Sequence, residues 1–137
     1  MSDLVLETVS TGGRFEKVAA YSRARRVGPF VYVSGTTAIE PTGILHAPGD
    51  TYAQTRFILA RIEEALEETG ASLAHVVRTR AFLRDIAGAA DFGRAHGEVF
   101  RGIDPVTSGV EVGLTTPGMM IEIEADAVVH DARGIHW

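Results

Sequence analysis

The segment 120–129 near the end of the chain carries three carboxylates at alternate positions. They belong to Glu122, Glu124 and Asp126, and apolar residues occupy the positions between them. In a β-strand, a period of two places all three on one face, roughly 6.5–7 Å apart. A carboxylate in such a row can act as a general base on water, or it can pair with cations of a neighbouring strand. The row is therefore the first candidate for chemistry in this sequence.

A second alternating segment, 75–86, provides cations for such pairs. One of its faces carries Arg78, Arg80, Phe82 and Arg84. The other face carries Val77, Thr79, Ala81 and Leu83. Because both segments would lie as strands in one sheet, ion pairs between strands are the structural alternative to a water-activating role for Glu122. We expect Glu124 and Asp126 to form such pairs.

Other kinds of site find little support in the residue types. The sequence contains no cysteine, which excludes a thiolate nucleophile, a disulfide and a cysteine-ligated metal. None of the five histidines stands in a metal-binding spacing such as His-Glu-x-x-His, and no glycine-rich phosphate loop is present. We therefore expect neither a metal nor a cofactor.

Length and composition are those of one globular domain spanning residues 1–137. Hydrophobic residues make up 45% of the chain and charged residues 23%. The net charge of −5 disfavours nucleic-acid binding, because an acidic surface repels phosphates. No apolar run approaches the roughly 18 residues of a membrane span, and the first residues lack the pattern of a secretory signal. These features favour a cytoplasmic location, with which the absence of cysteine is compatible, and argue against a membrane partner.

The elements that would position these residues follow from periodicity and turn residues. Segments 18–27 and 30–34 are predicted strands, and a Gly-Pro turn between them indicates a hairpin. A long loop follows at 36–49, and it can contain a short strand at 43–46. Loops of this length without structure of their own are often functional.

The rest of the chain alternates between helices and strands. Asp50 or Thr51 can cap a helix that runs to about Thr69, where Gly70 ends it. The remaining predicted elements are a strand at 75–86, a helix at 87–101, and strands at 107–113 and 119–130. This order predicts an α+β fold with a mixed sheet and both helices on one face. The other face must also be covered, so we expect the protein to self-associate.

Four segments carry a resemblance to a known family. They are 32–35 (YVSG), 76–85 (VVRTRAFLRD), 105–112 (PVTSGVEV) and 121–125 (IEIEA). In this order they resemble the RidA/YjgF family of reactive intermediate deaminases, over residues 21–129. The resemblance implies a chorismate-mutase-like α+β fold with a six-stranded mixed sheet, a homotrimer, and clefts between subunits. It also implies a small-molecule substrate, because family members hydrolyse enamines or imines such as 2-aminoacrylate.

The resemblance assigns roles to particular residues of this chain. Glu122 matches the carboxylate that orients the attacking water and is the expected catalytic residue. The expected substrate-binding residues are Tyr21, Ser34, His96, Thr107 and Gly109. The structural alternatives are that Tyr21 and Ser34 are ordinary strand residues, and that His96 is a core histidine on the apolar stripe of its helix. In the cleft, His96 could shuttle a proton near neutral pH.

The main departure from the family lies at Thr107. The deaminating members have an arginine there, which holds the substrate carboxylate with two charge-assisted hydrogen bonds. Threonine offers one neutral hydroxyl, and losing the pair would cost about 2–4 kcal/mol of substrate binding. The nearby Arg23, Arg25 and Arg26 either line the cleft mouth and replace the missing cation, or form a solvated strand face.

The sequence leaves two functions nearly equal. The first is hydrolytic deamination of a small enamine or imine by water that Glu122 activates. The second is non-catalytic binding of a small keto acid or carbonyl metabolite in the cleft, which the loss of the anchoring arginine favours. Endoribonuclease activity or translation inhibition, a label that many relatives carry, is disfavoured by the acidic charge.

Overall fold

A six-stranded mixed sheet forms the centre of the fold in the computed structural model, which describes residues 6–136. Its strands are Leu6–Val9 (β1), Ala24–Val27 (β2), Phe30–Thr37 (β3), Val76–Leu83 (β4), Val106–Glu111 (β5) and Ile121–Val128 (β6). The spatial order is β1-β2-β3-β6-β4-β5. The pair β4–β5 is parallel and the other neighbouring pairs are antiparallel. The mixed sheet and the α+β class are therefore confirmed.

Within the described residues, three helices accompany the sheet, at Arg14–Ala19 (α1), Thr51–Glu68 (α2) and Ala89–Phe100 (α3). Single 3₁₀ turns lie at Leu73–His75 and Ile86–Gly88, and a small hairpin pairs His130–Asp131 (β7) with Gly134–Ile135 (β8). The predicted start of α2 is confirmed, because the Asp50 side chain accepts a hydrogen bond from the Ala53 amide at 2.9 Å. Gly70 follows the helix with φ +82°, as a glycine after a helix end does.

One face of the sheet is buried beneath α2, which packs on β3, β6 and α3. On β6 the buried positions are the apolar ones of the predicted alternation, and Ile121 and Ile123 are fully buried. From α2, Ile58, Ile62 and Leu66 complete this core. Burying each such side chain contributes about 1.5–3 kcal/mol, so the single apolar face accounts for most of the packing energy. Among the described residues, no helix has the length and apolarity that a membrane span requires.

The predicted strand at 18–27 is wrong in its first half. Residues up to Ala19 belong to α1, Ala20 adopts a left-handed conformation with φ 58°, and the strand begins only at Ala24. The helix forms because the Glu16 carboxylate accepts hydrogen bonds from the Thr11 amide and from the hydroxyls of Ser10 and Thr11. Tyr21 therefore precedes the strand instead of lying within it.

Strand β4 also departs from its predicted alternation. Its register against β6 shifts between Val76 and Arg78. As a result Val76 is buried, while Val77, which was predicted to share a face with Thr79, is 39% exposed. Such a bulge turns a side chain from one face to the other. In the long loop, an isolated bridge between Ile39 and Leu45 lies at the predicted short strand.

Candidate active site

Glu122 lies on the face of the sheet that the helices leave uncovered. Its neighbours Ile121 and Ile123 are buried on the helix side, so the carboxylate side chain projects from the opposite face. There the side chain reaches a β-bulge of strand β3, where two residues, Ser34 and Gly35, oppose the single residue Glu124 of β6. A Cβ atom at Gly35 would overlap the Oε2 atom of Glu122. The glycine therefore makes the space in which this carboxyl group rests.

The surroundings of Glu122 shift its acidity. Burial raises the pKa of the Glu122 carboxyl group, and the charge of Glu124 raises it further. The guanidinium group of Arg23 acts in the opposite direction without outweighing burial. Arg23 is held there by a hydrogen bond of 2.9 Å from its Nη2 atom to the Gly35 carbonyl. A carboxylate with a raised pKa is a better proton acceptor when ionised, as a general base requires.

Tyr21 and Ser34 lie beside Glu122 in the same groove. All three line a groove that continues past α1 and along the 40–45 loop. The ring of Tyr21 is 41% exposed, and the Arg23 guanidinium carbon lies 5.8 Å from its centroid. The Ser34 hydroxyl donates to the Ser22 carbonyl at 2.6 Å. Ser34 can therefore offer a ligand only its oxygen lone pairs, whereas the Tyr21 hydroxyl can also donate.

Thr107, Gly109 and His96 form a separate group at the other end of the sheet. Thr107 and Gly109 lie on the edge strand β5, and His96 lies on α3. Thr79 joins them: its Oγ1 atom donates to the Thr107 Oγ1 atom at 2.7 Å and lies 2.9 Å from the Nε2 atom of His96. Thr79 was missed as a site residue. A signal existed, because Thr79 is a polar residue between Val77 and Ala81 on the apolar face of its predicted strand.

His96 lies in an apolar environment within this group. The rings of Phe92 and Phe100 flank it, with centroids 5.1 Å and 4.6 Å from its own. Burial lowers the pKa of the His96 imidazole, so the ring is neutral at physiological pH. At Gly109 a Cβ atom would make ordinary contact with Leu83 at 3.6 Å. A small side chain at this position would therefore fit without a clash.

The two groups lie on opposite faces of the sheet. Thr107 is in register with Thr79, which is buried on the helix side together with Ala125 of β6. Glu122 projects from the other face, and strand β4 separates β6 from β5. A single chain therefore does not bring Thr107 and His96 to Glu122. Tyr21, Ser34 and Glu122 are brought together.

The three arginines of the 23–26 segment have different roles. Arg23 lies at the candidate site, next to Glu122. Arg25 is exposed and lines a recess of roughly 410 Å³ on the uncovered face, beside Tyr32 and Arg80. Arg26 corrects the prediction of a cleft-lining or solvated cation, because it is buried and donates to the carbonyls of Gly28 at 2.8 Å and Thr69 at 2.7 Å.

The predicted ion pairs between strands occur at two of the three carboxylates. Arg80 lies 3.2 Å from Glu124 and 3.3 Å from Asp126. Arg84 instead donates to the carbonyls of Leu114 and Thr116, at 2.9 Å each. Glu124 and Asp126 are thus structural, as predicted. Glu122 is set apart from its row by its position over the bulge.

Comparison with known proteins places this arrangement in a class. The solved structure of Rv2704 from Mycobacterium tuberculosis, a member of the YjgF/YER057c/UK114 family, matches with a TM-score of 0.82 and 48% identity. The match covers 91% of this chain and 100% of that one. A YjgF protein from Neisseria meningitidis matches with a TM-score of 0.76 and 26% identity, over 93% and 98% of the two chains. The fold is therefore the mixed α+β fold of YjgF proteins.

Sequence comparison gives the same family. The profile of the family described as Endoribonuclease L-PSP matches residues 11–129. A RutC family protein of Pyrococcus abyssi is 33% identical, over 88% of this chain and 95% of its own. A rat protein named 2-iminobutanoate/2-iminopropanoate deaminase is 30% identical, over 93% of both chains. The chain belongs to the YjgF/RidA family.

Proposed function

We propose that this protein hydrolyses a small imine or enamine in a cleft between the subunits of a homotrimer, with Glu122 activating the water. The observation that carries the proposal is the carboxyl group of Glu122, which rests over Gly35 with a raised pKa and with Arg23 beside it. The name of the rat relative supports the reaction class.

The reaction follows from the groups around Glu122. Water attacks the carbon of the C=N bond while the Glu122 carboxylate accepts one of its protons. The proton passes to the nitrogen and gives a carbinolamine. As its C–N bond breaks, the hydroxyl proton is transferred through Glu122 to the departing nitrogen, so that ammonia leaves and a carbonyl compound remains. An enamine enters the same path after it takes a proton on carbon and becomes an imine. The Arg23 charge favours the ionised form of Glu122 that the first step needs.

The separation of the two residue groups supports the trimer. Thr107 and His96 cannot meet Glu122 within one chain, but a neighbouring subunit can supply them to a cleft. The uncovered face and the edge strand carry the apolar side chains that such an assembly would bury. Their exposed fractions are 44% at Phe30, 52% at Tyr32, 58% at Val106 and 48% at Val110.

Ammonia release tests the proposal directly. Imino acids are generated in the assay by an amino-acid oxidase or a dehydratase, and the rate of ammonia release is measured with and without the protein. We expect acceleration by the parent chain and a loss of about 100-fold or more in Glu122→Gln, the range that a general base contributes. Glu124→Gln is the matched control, because its side chain belongs to an ion pair instead. No acceleration across a panel on which the rat deaminase is active would contradict the proposal.

One observation favours a second function. Residue 107 of this chain is a threonine. By the family resemblance, deaminating members carry an arginine at this position, so this chain would lack the usual carboxylate anchor. A protein with an intact cleft and no anchor can be a non-catalytic binder of small keto acids or other carbonyl metabolites. Thermal-shift measurements separate the two cases: stabilisation by such compounds without ammonia release favours binding alone.

A further inference from the structure

The heavy-atom geometry around Thr79 favours one direction for its hydrogen bonds. It fits the Thr79 hydroxyl as the donor to Thr107, with 2.7 Å between their Oγ1 atoms. A hydroxyl carries a single proton, so Thr79 has none left for its other partner. Its contact of 2.9 Å with the Nε2 atom of His96 is therefore a bond in which His96 donates. His96 therefore donates to Thr79, and Thr79 donates to Thr107.

This order defines the state of the histidine ring. A donating Nε2 atom on a neutral imidazole leaves the Nδ1 atom without a proton. The neutral state agrees with the lowered pKa of His96 and with its place between Phe92 and Phe100. Thr79 is fully buried, so water does not compete for its hydroxyl. The tautomer of His96 and the rotamer of Thr79 thus stabilise each other.

Thr107 is the last acceptor in this series of hydrogen bonds. Its oxygen accepts the Thr79 proton, and its own proton remains to be donated. Thr107 is exposed on the edge strand β5, so that donor is directed away from the buried part of the chain. Thr107 is thereby a hydrogen-bond donor prepared before any ligand arrives.

We infer that Thr107 selects ligands that place a neutral carbonyl oxygen, such as that of a carboxamide, lactam or ester, where relatives bind a carboxylate. Thr79 and His96 are positioning residues for this donor. One neutral hydroxyl can donate the hydrogen bond that one carbonyl oxygen needs. It does not offset the free-energy cost of desolvating a carboxylate, as a bidentate guanidinium group does. The inference rests on the proposed function for the location of the ligand, and it names the substrate class.

The first test measures the histidine and involves no ligand. Imidazole ¹⁵N shifts of the parent protein should report a neutral His96 protonated at Nε2. Thr79→Val, which keeps the side-chain shape, should abolish this signature, whereas Ser108→Ala, next to Thr107 but on the opposite face of β5, should preserve it. A His96 protonated at Nδ1, or a ring state that Thr79→Val leaves unchanged, would overturn the inference.

The second test measures ligand choice with a matched pair, 2-oxobutanamide and 2-oxobutanoate. The parent should bind the amide more tightly, and Thr107→Val should reduce the ratio of the two affinities about three- to tenfold, the contribution of one hydrogen bond. Thr107→Ser should retain the ratio, Thr79→Val should lower it, and Thr107→Arg should reverse it in favour of the acid. Ser108→Ala should leave it unchanged.

The outcomes separate this inference from the proposed function. Equal binding of acid and amide, or a ratio that is insensitive to Thr107→Val, would overturn the inference. Binding of neither compound would overturn the ligand class as well. Ammonia release measured on the same preparations tests the proposed function independently. If the protein hydrolyses imino acids but does not prefer the amide, the proposed function holds and only the inferred selectivity is wrong.

Discussion

At the scale of single residues, the missing side chain at position 35 decides where the carboxyl group of Glu122 lies. The bulge at Ser34 and Gly35 brings the β3 backbone beside β6, and only a glycine there leaves room for Oε2. The same backbone carbonyl accepts the hydrogen bond from Arg23. One small residue thus determines both the burial of the acid and the position of its nearest cation.

Gly35→Ala should impair function much more than stability. The overlap is with the end of a flexible side chain, so Glu122 can move aside at a cost of about 1 kcal/mol or less. The displaced carboxylate would lose its place over the bulge, and imine hydrolysis should fall about 100-fold. Denaturant unfolding and ammonia release on one preparation check this. The control is Gly93→Ala on α3, where a Cβ atom meets nothing within 4 Å. Full activity in Gly35→Ala would show that the position of the carboxylate is unimportant.

The raised pKa of Glu122 also has a stability signature. The folded pKa lies above the unfolded value of 4.5, because burial disfavours the ionised form. Folding is therefore favoured most below the unfolded pKa, and stability is lost as pH rises through the folded pKa. Glu122→Gln removes this loss, so the variant should be more stable than the parent at about pH 8, and the difference should vanish toward about pH 4.

Urea unfolding across this pH range measures the effect. Glu124→Gln provides the contrast, because Glu124 pairs with Arg80 at 3.2 Å and its removal should lower stability at neutral pH, by about 1 kcal/mol at most. A Glu122→Gln variant that is less stable than the parent at high pH would contradict the assignment of burial as the dominant cause of the shift.

At the scale of secondary-structure elements, sequence patterns correctly predicted the features that depend on residues close together in sequence. The alternation of β6 and the Asp50 cap of α2 depend on neighbours in sequence, and both predictions hold. Helix α1 was missed because its start depends on a carboxylate that reaches back to Ser10 and Thr11. The exposure of Val77 was missed because a bulge depends on the partner strand. The bonds of Thr79 were missed because α3 and β5 meet only in the folded chain.

The start of α1 supplies an element-scale prediction with the opposite pH dependence. Burial raises the pKa of Glu16, but hydrogen bonds from Thr11 and Ser10 outweigh burial and lower it overall. Its stabilising contribution is present above the unfolded pKa and is lost as pH falls through the folded pKa. Glu16→Gln should therefore cost about 1–2 kcal/mol at neutral pH and little at acid pH. Thermal unfolding at both pH values measures the difference, and Glu7→Gln, on the neighbouring strand, serves as the control.

At the scale of the whole molecule, the sheet separates the residues that the proposed reaction needs together. Glu122 projects from the uncovered face, whereas Thr107 shares the helix side with the buried Thr79. No rotation of side chains carries a group through a sheet. The proposed site is therefore complete only when a second copy adds its β5 edge to the groove beside Glu122, and this requirement makes the assembly part of the chemistry.

Mixed assemblies test that requirement. Glu122→Gln and Thr107→Asp should each be inactive alone, but a refolded equal mixture should regain about a quarter of the parent activity, because random assembly pairs one intact Glu122 with a neighbour's intact Thr107 at that frequency. Mixing Glu122→Gln with the variant that carries both substitutions cannot create an intact site, because neither chain has Glu122. This mixture should stay inactive. Native mass spectrometry of mixtures in which one variant is ¹⁵N-labelled verifies that subunits have exchanged. If exchanged mixtures of the two single variants gave no activity, Thr107 of a neighbouring subunit would not complete the site. Because the sheet also separates Thr107 from Glu122 within one chain, Thr107 would then have no part in the reaction.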